Sequence, residues 1–260
     1  MPDLTDAEIQ AIISRVKGRV AAADIGGRAG QAIVAADAVA DVDDALGEGV
    51  FRTVDDAVGA AKRAFGAYQA LGLDARKRII EAIRASMRAE NERLAYMARQ
   101  ETGLGRADDK ILKNQLVIER TPGPEDLEPR VVTGDQGMMV AEYAPYGVIG
   151  AITPTTNPTS TIINNAIAIL SAGNSVTFNV HPSAKHVSVE NVKLLNRAVL
   201  SAGGPPDLVT CVAVPTLESA QALMQHPDVR VLLVTGGPGV VKEALRTPKK
   251  AITAGPGNPP

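Results

Sequence analysis

Apolar residues recur at Leu4, Ile9, Ile12, Ile13, Val16 and Val20, the spacing of one helix face. Thr5 or Asp6 can cap that helix, and Glu8 stands three residues past Thr5, as a capping box requires. Gly18 weakens its last turn. From Ala21 to Gly49 the periodicity lapses into Ala, Gly and Asp, with Gly26-Gly27 and Gly30 and no aromatic side chain, which predicts a flexible linker. Helical spacing returns at Thr53. Thr53-Val54-Asp55-Asp56 reads as a cap before a helix over 57–71. Asp74 can cap a second helix over 75–102, which Gly103 stops, and 108–119 reads as a third. Gly123-Pro124 breaks the pattern.

After Gly137 the rhythm changes to short apolar runs between helices. Strands are predicted over 140–143, 147–153, 175–179, 208–214, 231–234 and 250–253. Helices are predicted over 159–172, 184–202, 217–225 and 238–246. Such alternation argues for parallel βαβ units, hence an α/β fold with a Rossmann-like, doubly wound parallel sheet preceded by helices. Ligands of these sheets sit beyond the carboxyl ends of the strands. Those ends fall at 153–157, 179–182, 214–216 and 235–239.

Composition narrows the picture. The chain has 260 residues and a net charge of -2, with no basic stripe for nucleic acid. Arg76-Lys77-Arg78, with Glu81 and Arg84 at helical spacing, reads as a solvated helix face. Cys211 is the single cysteine, so no intrachain disulfide can form, and a reducing, cytoplasmic setting is expected. The three histidines, His181, His186 and His226, are scattered and do not suggest zinc. No apolar run approaches the roughly 18 residues of a membrane span. Acidic Asp3, Asp6 and Glu8 stand where a secretory signal would be basic. With no Trp, the core must be built from Ala, Val, Ile and Leu.

The loops carry the candidate chemistry. Thr235-Gly236-Gly237-Pro238-Gly239 closes a strand and opens a helix, where backbone N–H groups can approach an anion. It meets neither G-x-G-x-x-G nor the P-loop pattern, and tight turns before helices often need glycine for backbone reasons alone. Asn157, in Pro154-Thr155-Thr156-Asn157-Pro158, is either a helix N-cap or an amide donor to an oxyanion. His181, before Pro182, either faces a cofactor adenosine or is an ordinary loop histidine. Cys211 lies inside an apolar strand and reads as structural.

Seven stretches, in order, resemble the aldehyde dehydrogenase superfamily and, more narrowly, the CoA-acylating propionaldehyde and acetaldehyde dehydrogenases of bacterial microcompartments. They are Glu101-Thr102-Gly103-Leu104-Gly105, Asp109-Lys110-Ile111-Leu112-Lys113-Asn114, Tyr146-Gly147-Val148-Ile149-Gly150, Pro154-Thr155-Thr156-Asn157-Pro158-Thr159-Ser160, Ala172-Gly173-Asn174-Ser175-Val176, Val234-Thr235-Gly236-Gly237-Pro238-Gly239 and Ala254-Gly255-Pro256-Gly257-Asn258-Pro259-Pro260.

The resemblance implies a cofactor domain over 50–260, behind an amphipathic encapsulation helix at 1–20 and a linker at 21–49. It implies oxidation of a short aldehyde with NAD and CoA to acyl-CoA and NADH, through a cysteine thioester. Asn157 would be the oxyanion donor. Thr153, Pro154, Thr155, His181, Pro182, Thr235, Gly236, Gly237 and Gly239 would contact the cofactor. Val180 stands where the family usually has proline. Hydrolytic relatives carry a water-activating Glu where this chain has Ala254, which favours CoA as the acyl acceptor. The family's nucleophilic cysteine would lie beyond Pro260, so a truncated, inactive chain is expected. The alternative is a non-catalytic nucleotide-binding and docking fragment. The resemblance further implies a shell-protein partner for residues 4–20, a microcompartment location and a homo-oligomeric full-length enzyme.

Overall fold

The computed structural model describes residues 45–255. The helix expected over 4–20, the linker up to 44 and the last five residues lie outside them. Six strands form one wholly parallel sheet: β1 (Val50–Phe51), β4 (Val148–Ile152), β5 (Ser175–Asn179), β6 (Val209–Val212), β7 (Val229–Thr235) and β8 (Lys250–Ala254). Their spatial order is β1-β6-β5-β4-β7-β8. β4 and β5 are buried along their whole length, as strands covered on both faces must be.

Seven helices of the described residues cover the sheet. On one face lie α2 (Leu73–Thr102), α3 (Ala107–Arg120), α4 (Pro158–Ser171) and α5 (Lys185–Ser201), packed on one another. On the other lie α1 (Val54–Gln69), α6 (Leu217–Gln225) and α7 (Pro238–Arg246). There Val58, Ala61, Leu223, Met224 and Ala244 meet Val148, Ile152, Leu232 and Val234 in one apolar cluster. The predicted aliphatic core is present: Ile79, Ile83, Ile162, Ile163, Ile167, Leu170 and Leu195 are fully buried.

The run predicted as a strand over 140–143 is a different element. Arg130–Gly134 (β2) and Gly137–Ala141 (β3) form an antiparallel hairpin outside the parallel sheet, exposed on all ten positions. Its turn residues, Asp135-Gln136, lack the Asn-Gly or Asp-Gly signature of a two-residue hairpin. Asp74 does not cap α2, which starts from Gly72 without a side-chain cap. Thr53 does cap α1, its Oγ1 accepting from Asp56 N at 3.1 Å. Arg84 is not solvated but 7% exposed, and its guanidinium donates to the carbonyls of Ile118 and, at 2.7 Å, Thr121. Those are carbonyls at the end of α3, which lack helical partners.

The first strand follows directly on the segment read as linker, whose last residues, Gly47 to Gly49, hold it in place. Gly49 O accepts from Cys211 N at 2.8 Å. Asn196 Nδ2 donates to Glu48 O at 2.9 Å and Val209 O at 2.6 Å, and Glu48 pairs with Arg197 at 2.6 Å. Gly47 and Gly49 both have φ +93, but an added Cβ would meet nothing at Gly47, while at Gly49 it would stand 2.2 Å from Asn196 Nδ2 and 2.3 Å from Val209 O. Gly49→Ala should therefore cost about 3 kcal/mol or more of unfolding free energy, and Gly47→Ala about 1 kcal/mol, in urea denaturation. Equal costs would show that β1 is not fixed by this close approach.

Candidate functional site

A parallel sheet brings the carboxyl ends of all its strands to one edge. Ile152 is level with Asn179 on one side and Val234 on the other, and Thr235 with Ala254. The strand order turns back between β4 and β7: β4 leads to β5 and β6 on one side, then the chain returns to β7 and β8 on the other. The crevice of a doubly wound sheet opens at such a reversal. The 153–157 turn after β4 and the 235–239 turn after β7 flank it, and His181 and Pro182 follow the neighbouring β5. The structure thus gathers every predicted site residue along one edge.

The turn after β7 suits an anion. Gly237 is the N-cap of α7, with no side-chain cap, and the first turn of α7 holds no acidic residue. Its leading N–H groups are thus left without a side-chain acceptor. A Cβ at Gly237 or Gly239 would meet nothing within 4 Å, so the steric space in front of the helix is open. Gly236 N donates to Ala254 O at 3.2 Å, tying the turn to β8. Ala254 brings no carboxylate there. A groove of about 520 Å³ between α7 and β8, lined by Val241, Lys242, Leu245 and Thr253, flanks this turn.

Thr153 is 2% exposed and its Oγ1 has no hydrogen-bond partner. Buried hydroxyls seldom go unpaired, and this one lies at the end of β4, where the strand passes into the 153–157 turn. Pro154 and Thr155 are half-buried beside it. His181 is exposed. It caps the short 3-10 turn Pro182–Ala184, its Nδ1 accepting from Ser183 N at 3.1 Å. This leaves Nε2 as the ring atom free of that cap. At the end of β5, Asn179 Oδ1 accepts from Ser219 Oγ at 2.5 Å, and its Nδ2 donates to Thr216 O at 3.4 Å. That network ties the 214–216 loop to the sheet, and pattern reading assigned it no role.

Asn157 occupies the N-cap position of α4 but makes no side-chain cap bond. The capping reading therefore fails on geometry. Its Oδ1 accepts from Lys113 Nζ at 3.4 Å, which leaves Nδ2 as the donor end of the amide. Two further residues of α3 hold the same segment: Lys110 Nζ donates to Thr156 O at 3.0 Å, and Asn114 Oδ1 accepts from Thr159 Oγ1 at 2.8 Å. Desolvation, then the charges of Lys113 and Arg99, lowers the pKa of Lys110. Sequence reasoning gave these three residues no function. The signal was present: Lys110 and Asn114 share the four-residue stripe of α3 with buried Ile118, two polar groups where apolar ones belong.

Cys211 is fully buried in β6, level with Val50 and Phe178 in the strands on either side. Burial pushes its thiol up to about 12. It is a core residue, as its apolar surroundings predict.

Several known proteins are similar to this chain. The propanal dehydrogenase (CoA-propanoylating) of Salmonella typhimurium is 46% identical over 214 residues, covering 82% of this chain and 46% of its own length. The acetaldehyde dehydrogenase (acetylating) of Escherichia coli is 47% identical over 213 residues, covering 82% and 45%. Among solved structures, the propionaldehyde dehydrogenase of Rhodopseudomonas palustris with bound propionyl-CoA superimposes at a TM-score of 0.79, with 47% identity over 82% of this chain and 48% of that one. The propionaldehyde dehydrogenase of the Clostridium phytofermentans fucose utilisation bacterial microcompartment gives 0.79, with 47% identity over 80% and 48%. The chain thus spans about half the length of these relatives. Residues 34–254 match the sequence model of the aldehyde dehydrogenase family, and the chain belongs to that family.

Proposed function

We propose that this chain supplies the cofactor site and the oxyanion donor of a CoA-acylating aldehyde dehydrogenase, which converts a short aldehyde, CoA and NAD to acyl-CoA and NADH. The observation that carries this reading is the edge of the sheet where an uncapped helix N-terminus, an Asn157 amide not spent on capping and a carboxylate-free strand end at Ala254 lie along adjoining strands. The open glycine turn before the uncapped α7 N-terminus fits the phosphates of a bound dinucleotide. Bound NAD supplies the hydride acceptor. Thr153, Pro154, Thr155, His181, Pro182, Thr235, Gly236, Gly237 and Gly239 line its place.

In the proposed reaction a cysteine thiolate adds to the aldehyde carbon, and the carbonyl oxygen becomes an oxyanion. An Asn157 Nδ2–H bond to that oxygen would lower the barrier by about 3 kcal/mol. Loss of hydride leaves a thioester. The CoA thiolate then takes the acyl group and the cysteine leaves as thiolate. Ala254 offers no base to activate water, so CoA is the acceptor that completes the cycle. Cys211 is sealed in the core, so the nucleophile is a cysteine other than Cys211. We further propose that residues 4–20 dock this enzyme to a microcompartment shell protein, and that the full-length enzyme is a homo-oligomer.

Two experiments test the reading. In calorimetric titration, NAD and CoA should each bind the 260-residue chain saturably. Gly239→Glu should weaken NAD at least tenfold while leaving the melting temperature unchanged or slightly raised, because a carboxylate in the first turn of α7 repels phosphate yet complements the helix dipole. No binding of either ligand by the wild-type chain would refute the proposal. Separately, iodoacetamide at pH 8 should leave Cys211 unmodified in the folded chain and alkylate it in urea, and Cys211→Ala should bind NAD like the wild type. Rapid alkylation of the folded chain would return Cys211 to candidacy as the nucleophile.

A further inference from the structure

The polar face of α3 meets the candidate site in an unusual way. Lys110, Lys113 and Asn114 stand at i, i+3 and i+4, so they share one side of the helix. Each bonds the short segment from Thr156 to Thr159. Lys110 is 5% exposed, although a buried ammonium is costly to desolvate. Its bond goes to a main-chain carbonyl, that of Thr156. That carbonyl lies in the peptide plane that carries the Asn157 N–H, so fixing it fixes how Asn157 enters the turn. Asn157 has φ -135 and ψ 59, outside the regular helix and strand regions, and its own carbonyl is already held by Thr161 N at 3.1 Å. The backbone of Asn157 is thus restrained from both ends.

The side chain is restrained by the second lysine. Lys113 Nζ stands 3.4 Å from Asn157 Oδ1. A cation on the amide oxygen has two effects. It selects the rotamer in which Nδ2 is left to donate, and it draws electron density from nitrogen, which strengthens the N–H as a donor.

We infer that Lys110 and Lys113 are positioning residues, a two-lysine clamp that sets the backbone entry and the amide orientation of Asn157. The catalytic meaning of the clamp rests on the function proposed above, but the placement of the amide does not.

The test is NMR on the full 260-residue chain labelled with ¹⁵N-asparagine. The Nδ2 side-chain pair of Asn157 is assigned by its loss in Asn157→Asp. Lys113→Met should move that pair by several linewidths while the pairs of Asn191 and Asn196 stay in place. Lys113→Arg should return it toward its wild-type position. Lys110→Met should broaden or split it. Lys113 is exposed, so its variants keep the test open if Lys110→Met fails to fold. An Asn157 pair that stays in place in folded Lys113→Met overturns the proposal. NAD titration of the same samples separates the two ideas. Lys113→Met should leave NAD affinity within twofold of wild type. A wild-type chain that binds neither NAD nor CoA sinks the functional reading, while the resonances still decide the clamp.

Discussion

All six strands of the sheet run in the same direction, and that constraint places everything else. A parallel pair cannot be joined by a tight turn, so each strand after β4 returns through a helix that must cover a face of the sheet. The strand ends then converge on one edge, and the helices that start there present their N-termini to it. The site needs no special loop to assemble it. Reversal of the strand order beside β4 opens the crevice, and the turns after β4 and β7 are its two walls.

An edge of this kind is generic, and three local departures make it specific. The turn after β7 has only glycine at the cap, so the α7 N-terminus has no side-chain acceptor of its own. Thr153 keeps a buried hydroxyl unpaired. Asn157 declines the capping bond that its position invites. Each forgoes an interaction worth about 1 kcal/mol in a folded chain. The uncapped α7 N-terminus and the Asn157 Nδ2 left uncommitted by Lys113 stand on this one edge, as donors on a surface that meets a ligand would.

Much of this was legible in the sequence because period and punctuation agree. β5, α6 and α7 fall where the alternation of apolar runs and glycine stops puts them. The wide predicted strand over 208–214 shortened to four residues, since Ala213 onward bends into the loop while its N–H still bonds Phe51 O. The two-residue β1 and the β2–β3 hairpin were not legible. A strand of two residues has no period to read, and its position depends on Asn196 and Val209, some 150 residues away. The hairpin is solvated on both sides, so it carries no inside-outside alternation. At the site, the residue types at the strand ends were visible. The contribution of α3 was not, because a lysine in a sequence is normally read as solvent-facing.

Lys110 shows why that default can fail. Burying an ammonium carries a desolvation cost that one hydrogen bond to a carbonyl only partly offsets. A lysine held at 5% exposure against a carbonyl is thus a poor choice if stability alone is being served. What an apolar residue cannot do is choose the direction of a carbonyl. At the start of α4 that direction matters, because Asn157 sits between regular conformations and no side-chain cap fixes the turn. The same logic applies to Arg84, which closes the other end of α3 on the carbonyls of Ile118 and Thr121. The two buried cations fix α3 at both ends, one to the helix bundle and one to the edge of the sheet. The helix then acts as a rigid strut whose lysines hold the Asn157 turn.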